Sequence, residues 1–243
     1  MNPTAHAARS ALRAWWQTTT HLVYPALCLG CDHRLGPRSD ALPLCGPCEQ
    51  RLPRASQTVI RERLASLPAA AGVFRAAHGL WVFDDGGTVQ RLQHLLKYGN
   101  RPTLARDLGR RLGRALLFDG TQPTYDAVVP IPLARPRALE RGYNQSASLA
   151  LGLAAALGQT GVVQPDALVR SRATRSQTAL SRSARWRNVA GAFHVREPEA
   201  LAGRRVLLVD DVLTTGATLT AAAHALRAAG AEVDLAVFAV AAI

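Results

Sequence analysis

The chain has almost no lysine: Lys97 is the only one among 29 basic residues, every other being arginine. A compositional bias of the source is one explanation for that choice, but the surplus of charge acts physically whatever produced it. With 17 acidic residues the formal charge is +12, and a basic surface attracts phosphates, nucleic acid or anionic lipid without naming one of them. Charged residues are only 19% of the chain against 48% hydrophobic, so disorder is not the default reading. No stretch approaches the ~20 consecutive apolar residues needed to span a bilayer. The N-terminus lacks the basic, apolar and small-residue order of a signal peptide, and the expectation is a cytoplasmic protein. No cysteine precedes Cys28, so an N-terminal cysteine nucleophile of the glutamine amidotransferase kind is not expected, nor glutamine-dependent transfer by this chain alone.

At 243 residues the chain is long enough for one large α/β domain, or for a main domain with a small appendage, and can bury a sizeable core in either case. In residues 1–21, Leu12, Trp15, Trp16 and Thr19 fit one helical face. That face either packs on its own domain or touches a membrane or partner.

All four cysteines fall between Cys28 and Cys48, as Cys28-Leu-Gly-Cys31 and Cys45-Gly-Pro-Cys48. In a reducing compartment two C-x2-C pairs present thiolates to one ion, and the expectation is a closed, structural four-thiolate zinc site. A redox dithiol is the alternative. Gly30, Gly46 and Pro47 supply the tight turns of such knuckles. Residues 22–54 carry too few apolar side chains to fold alone, so metal binding would supply the folding energy.

Residues 55–120 read as a helical lead-in. Gln57 to Leu67 is a polar helix, Gly79 to Phe83 a strand, and Thr88 begins an amphipathic helix with Leu92, Leu95 and Leu96 on one face. A second helix carries Leu104, Leu108, Leu112 and Leu116 at i,i+4. From Asp126 short apolar strands alternate with alanine-rich helices: Ala127–Ile131, a helix from Asn144 to Leu157, a short extended piece at Gly161–Val163, Val206–Val209, a helix from Leu219 to Ala229, and Val233–Ala241. Unbroken apolar strands joined by helices imply a parallel sheet covered on both faces, whose ligands sit beyond the carboxyl ends of the strands.

One such end carries an apparent contradiction. In Val206-Leu-Leu-Val-Asp-Asp-Val-Leu-Thr-Thr-Gly-Ala-Thr218, two carboxylates stand beside hydroxyls and a glycine at the start of a helix. Backbone N–H groups from Thr214 to Thr218 form an anion site, helped by the hydroxyls of Thr214, Thr215 and Thr218. Asp210 and Asp211 accept hydrogen bonds from vicinal hydroxyls, directly or through a Mg²⁺ shell. A ribose 5-phosphate satisfies both halves.

Val206 to Thr218 resembles the phosphoribosyl pyrophosphate (PRPP) motif of type I phosphoribosyltransferases. Val129-Pro130-Ile131-Pro132-Leu133, then Arg135, Arg137 and Glu140-Arg141-Gly142-Tyr143-Asn144-Gln145, resemble the ComF family of competence-associated phosphoribosyltransferase-like proteins. So do Thr174 to Arg182 with Arg187-Asn188-Val189, and so does the cysteine knuckle. The resemblance covers the chain from about Leu22 to the end. It implies an α/β fold: a Rossmann-like, mostly parallel sheet flanked by helices over residues 55–243, preceded by the zinc knuckle.

The resemblance also implies Mg²⁺-PRPP as donor. Asp210 and Asp211 would hold the ribose hydroxyls, and Val212, Leu213, Thr214, Thr215, Gly216, Ala217 and Thr218 would make the 5-phosphate loop. Pro130-Ile131-Pro132 would be the pyrophosphate loop, with Arg135, Arg137 or Arg141 close to the leaving group. Ala167 to Arg196 holds seven arginines and no acid; Arg175, Gln177 and Arg182 are the candidates for a loop closing over PRPP. Neither a general base nor a nucleobase hood is recognisable. Two functions follow. One is phosphoribosyl transfer to an unidentified acceptor. The other is a PRPP-sensing or single-stranded-DNA-handling accessory of natural transformation, with a competence helicase or recombination mediator as partner. Trp186 among Arg182, Arg185 and Arg187 is either a stacking surface for DNA or a buried side chain.

Overall fold

The computed structural model describes residues 26–36, 42–117, 123–171 and 191–242. The chain divides into two compact units, Met1–Leu52 and Pro53–Ile243.

In the first unit Leu27 and Arg34 form an antiparallel bridge around the turn that carries Cys28 and Cys31. Helix α1, Gly46–Gln50, starts directly after Cys45 and has Pro47 in its first turn, where a missing N–H costs nothing. Cys28, Leu42, Leu44, Cys48 and Leu52 are buried, a small set for holding a fold by itself.

The second unit begins with α2 (Gln57–Ala65), capped by the Ser56 hydroxyl accepting from Val59 N. Strand β1 (Ala77–Phe83), α3 (Thr88–Tyr98) and α4 (Pro102–Leu116) follow. Next come β2 (Ala127–Pro130), α5 (Arg135–Arg141) and α6 (Gln145–Ala156). An antiparallel pair, β3 (Leu168–Arg170) and β4 (Phe193–Val195), leads through the short α7 (Pro198–Leu201) to β5 (Arg205–Leu213), α8 (Ala217–Ala228) and β6 (Glu232–Ala241). The main sheet is wholly parallel in the order β1-β6-β5-β2. Pro130 is tolerated in β2 because that strand is an edge.

Helices flank this sheet. Val206 and Leu208 of β5 and Val233, Leu235 and Val237 of β6 join a core cluster with Leu219, Ala223 and Leu226 of α8 and Ile60 near the middle of α2. Helix α4 packs along α6, and α6 lies against β2 and β5. The two helices approach so closely that a Cβ on Gly109 would stand 2.1 Å from the Leu149 carbonyl oxygen, and one on Gly152 would stand 2.0 Å from that of Arg106. Only hydrogen fits at either position.

The expected extended piece at Gly161–Val163 is instead a 3₁₀ turn, Thr160–Val162, and Val163 alone bridges Val128. Isolated from a ladder, three residues form the local hydrogen-bonded turn rather than a strand. Among the described residues no helix is long and apolar enough to cross a membrane.

Far from the carboxyl ends of the strands, Asp234 is fully buried and accepts from Arg75 (3.1 and 2.8 Å) and Arg205 (3.2 and 2.9 Å). Asp234→Asn leaves Arg205 without its counter-charge and Arg75 with only its looser pair to Glu232 (3.8 Å). The expected loss is roughly 3 kcal/mol, the low end for breaking a buried pair because both arginines reach water. Urea denaturation measures it, with ligand affinity at the opposite edge of the sheet unchanged.

Candidate functional site

Strand β5 continues through the acid pair to Leu213, so Asp210 and Asp211 sit inside the parallel ladder and not after it: Asp210 is in register with Val237 and Val212 with Ala239. Both carboxylates are largely buried. Asp210 accepts from the Ser146 hydroxyl (2.7 Å). One oxygen of Asp211 accepts from Val212 N (2.9 Å), and the other takes Lys97 Nζ (3.3 Å) and Gln93 Nε2 (3.3 Å). Burial first, and the neighbouring Asp211 charge second, raise the Asp210 pKa to about 7 against the pull of Ser146 and Lys97. A carboxyl titrating there can exchange a proton near neutrality.

The loop after β5 turns on Gly216, which caps α8 with φ +66°. A side chain there would be strained, and its Cβ would meet Leu67 Cδ1 at 2.5 Å. Arg63, a buried arginine of α2, donates through Nε to the Thr214 carbonyl oxygen (2.8 Å) and holds the loop in place. The N–H groups at the start of α8 thereby face the same cleft as the acid pair.

Opposite stands the end of β2. Ile131 N donates to Val209 O (2.9 Å), and the chain then leaves the sheet at Pro132. The following motif is used residue by residue. Arg141 is buried, with its guanidinium 5.7 Å from the Tyr98 ring centroid. Gly142 ends α5 in the left-handed region, and the Tyr143 hydroxyl donates to Leu96 O on α3. Asn144 donates to Ile131 O (3.0 Å) while its own oxygen caps α6. Gln145 then lines the cleft and Ser146 reaches Asp210.

These parts enclose one cavity of ≈ 160 Å³, lined by Asp210, Asp211, Val212 and Thr214 to Leu219 from the β5–α8 side and by Ile131, Pro132, Leu133, Arg137, Arg141 and Gln145 from the β2–α6 side. Gln93, Lys97 and Arg170 complete it. Burial, then the Arg137 cation, lowers the Arg170 pKa: cations are gathered here more closely than they favour, and an anion relieves that. The Nε of Arg141 and the Oε1 of Gln145 are buried with no hydrogen-bond partner among the described residues, groups that a polar ligand would satisfy.

Of the sequence-predicted residues, the acid pair, the phosphate loop, Ile131, Pro132, Arg137 and Arg141 converge on this cleft. Pro130 is buried one position short of it, and Leu213 is buried in the strand. Arg135 begins α5, with its side chain outside the described part of the structure. Arg175, Gln177, Arg182 and Trp186 lie outside the described residues, as do Trp15 and Trp16. Sequence reasoning missed Gln93, Lys97, Arg170, Ser146 and Arg63. Lys97 had a signal as the sole lysine, and Arg170 lay in the acid-free, arginine-rich segment; Gln93, Ser146 and Arg63 had none.

In the first unit, the sulfurs of Cys28, Cys31, Cys45 and Cys48 all lie within 4.8 Å of one another, and Cys45 Sγ is 3.7 Å from those of Cys28 and Cys31. Tetrahedral metal–sulfur bonds of about 2.3 Å place sulfurs about 3.8 Å apart, whereas a disulfide needs about 2.05 Å. The four cysteines could therefore hold a metal ion. Burial opposes ionisation of Cys28, but N–H groups of Cys45, Gly30 and Cys31 outweigh it and hold the thiol down at about 6. The neighbouring sulfurs of Cys45 and Cys31 push Cys48 up to about 12, so four thiolates together require a cation. At Gly30 a Cβ would meet Cys48 Sγ at 2.8 Å, which excludes any other residue from the knuckle turn without displacing a ligand sulfur.

Comparison with known proteins agrees with this geometry. Residues 144–242 match the phosphoribosyl transferase domain. An orotate phosphoribosyltransferase from Nocardioides sp. is 52% identical over 50 residues, 21% of this chain and 28% of the relative. An adenine phosphoribosyltransferase from Nocardia farcinica is 70% identical over 33 residues, 14% of this chain and 17% of the relative. A solved structure of the allosteric regulatory enzyme of purine biosynthesis has a TM-score of 0.35 and 26% identity, covering 54% of this chain and 25% of that one. The parallel sheet and its cleft thus define a protein of the phosphoribosyltransferase class. The match to competence protein F of Haemophilus influenzae runs much further, 29% identity over 218 residues, 87% of this chain and 89% of that protein. The chain is a competence protein F homologue, a ComF-type phosphoribosyltransferase-like protein.

Proposed function

We propose that this protein binds PRPP and transfers its phosphoribosyl group to an acceptor in the service of DNA uptake and natural transformation, acting in the cytoplasm. The observation that carries the reading is the single cleft in which a buried acid pair, a helix-start phosphate loop and arginines from a separate strand end face one another. Thr214 to Thr218 receive the 5-phosphate, Asp210 and Asp211 the ribose hydroxyls, and Arg137 and Arg141 the diphosphate. As the bond from the anomeric carbon to the diphosphate oxygen lengthens, positive charge grows on the sugar and negative charge on the leaving group. The arginines would stabilise the latter through bidentate hydrogen bonds, and the acceptor's proton is proposed to pass to Asp210, whose pKa is raised to about 7 by burial and then by the neighbouring Asp211. Arg175 and Arg182 belong to the segment proposed to close over the cleft and exclude water.

The donor set also suits Mg²⁺, a hard cation that takes oxygen ligands, with one or two carboxylates and the remaining positions left to water and phosphate. Asp210 and Asp211 would hold it, and its charge would help offset the diphosphate. The four thiolates suit structural zinc. Its knuckle over 22–54 and the transferase domain over 55–243, with the lead-in helices of 55–120, are the proposed functional divisions, with residues 1–21 as a separate helical segment.

The test is pyrophosphate release from PRPP with the intact protein, screened against bases, amines and oligonucleotides. Acceptor-dependent release is expected, and no binding of Mg²⁺-PRPP by calorimetry would sink the reading. A second reading, a non-catalytic PRPP sensor that handles single-stranded DNA alongside a helicase or recombination mediator, is favoured by Tyr98. That ring is 57% exposed beside the cleft with Arg141 against it, a surface on which a base can stack. Gel shifts at low salt should show single-strand binding that weakens steeply with salt.

A further inference from the structure

Helix α3 lies outside residues 144–242, which match the transferase domain, yet it sends two polar side chains to the acid pair. Gln93 and Lys97 are one turn apart, and both reach the same oxygen of Asp211, each at 3.3 Å. The lysine side chain is only 25% exposed. Composition makes its identity informative: nearly every basic position in this chain is arginine, and the one lysine falls in the cleft.

The two cations differ in what they do beside a carboxylate. Arginine presents a planar fork that meets both carboxylate oxygens and fixes its remaining donors in the same plane. An ammonium is a compact charge with three donors. One reaches Asp211, whose other oxygen already accepts from Val212 N, and two remain to point elsewhere in the cavity that Lys97 lines. The residue after it gives the direction. Tyr98 stacks with Arg141, and Tyr143 ties the end of α3 to the α5–α6 turn. Lys97 thus adjoins the ring on which Arg141 packs, and both cations line the one cavity from two different helices.

We infer that Lys97 is a ligand-binding residue for the diphosphate of the sugar phosphate, its ammonium bridging Asp211 and an anionic oxygen of that group, with Gln93 as the positioning residue that keeps the shared Asp211 oxygen in place. The inference rests on reading the cleft as a PRPP site. It adds that the lead-in helix is part of the site.

A chain with a single lysine allows a direct test. The intact protein is treated with limiting acetic anhydride, and acetylation of Lys97 is followed by peptide mass spectrometry alone, with Mg²⁺-pyrophosphate, with Mg²⁺-PRPP and with ribose 5-phosphate. Pyrophosphate and PRPP should slow the reaction roughly fivefold or more, and ribose 5-phosphate should leave it nearly unchanged. In parallel, Lys97→Met should weaken pyrophosphate and PRPP roughly 10–100-fold, the size of a lost charge-assisted contact, with ribose 5-phosphate affinity retained. Lys97→Arg should recover only part. Full reactivity of Lys97 with pyrophosphate bound, unchanged pyrophosphate affinity in Lys97→Met, or no pyrophosphate binding by the wild type overturns the inference. Failure of PRPP and ribose 5-phosphate to bind while pyrophosphate still protects Lys97 overturns the PRPP reading instead and leaves the diphosphate contact standing.

Discussion

Replacing Asp210 and Asp211 together by asparagine should lower PRPP affinity by roughly 100-fold or more, the sum of two charge-assisted contacts to the ribose hydroxyls. Calorimetry on the zinc-loaded protein measures this, and transformation frequency in a strain carrying the same change reports whether the site matters to DNA uptake. The loss should come without unfolding. Asparagine keeps an oxygen for the Ser146 hydroxyl and for Val212 N, and Asp210 in its ionised form is a cost to the fold. Its folded pKa of about 7 stands above the ordinary aspartate value of 3.8. Stability from this group is therefore complete below about pH 3.8 and is lost as pH rises through 7. At pH 8 Asp210→Asn should stabilise the protein on the order of 2 kcal/mol, since a tenfold change in proton affinity is worth about 1.4 kcal/mol and the neighbouring carboxylate shares in the effect. Ligand binding has the opposite sign: hydroxyl donors favour the carboxylate, so PRPP affinity should climb between about pH 6 and 8, by at most roughly tenfold for each step of one in pH. Calorimetry in two buffers of different ionisation enthalpy reads the released proton. Affinity that falls over this interval would contradict the assignment of Asp210 to the sugar.

Removal of the thiolate-bound ion should unfold the cysteine-bearing unit. The sulfurs of Cys28, Cys31, Cys45 and Cys48 fit one tetrahedral ion, and few apolar side chains are buried around them. Structural zinc supplies on the order of 10 kcal/mol in such sites, more than that core can replace. Protein purified under reducing conditions should contain one zinc per chain. Cys48→Ser, or a strong chelator, should release it and make residues 26–52 rapidly cleavable by protease. Gly30→Val should act similarly, by pushing on the Cys48 sulfur. The acid-pair cleft is lined entirely by residues of the other unit, and the affinity for PRPP proposed for it should survive the treatment. Protection of residues 26–52 that persists without metal would show that side-chain packing holds the knuckle.

Much of this was legible in the sequence because the relevant signals are local. The C-x2-C pairs sit within one short stretch, and the apolar run, acid pair and Thr-Thr-Gly-x-Thr turn are contiguous from Val206 to Thr218. Local spacing determines which backbone N–H groups face one way and which thiolates share one ion. The Glu140 to Gln145 run was legible as a motif but not as a mechanism. Its tasks of stacking on Tyr98, anchoring to Leu96 and holding the Ile131 carbonyl end on partners that only the fold supplies.

The sequence by itself determined two local arrangements, an acid pair followed by a threonine-rich helix start over Val206–Thr218 and two C-x2-C pairs whose sulfurs could hold one ion. Tertiary structure decided what surrounds the acid pair: Lys97 and Gln93 from α3, Ser146 from α6, Arg170 from β3 and, behind the loop, Arg63 from α2. These residues lie about 40 to 150 positions away in the chain and carry no shared spacing. A parallel sheet brings the carboxyl ends of distant strands, and the helices that follow them, to one edge. The periodicity of each segment records which face it buries, and not which neighbour waits at its end.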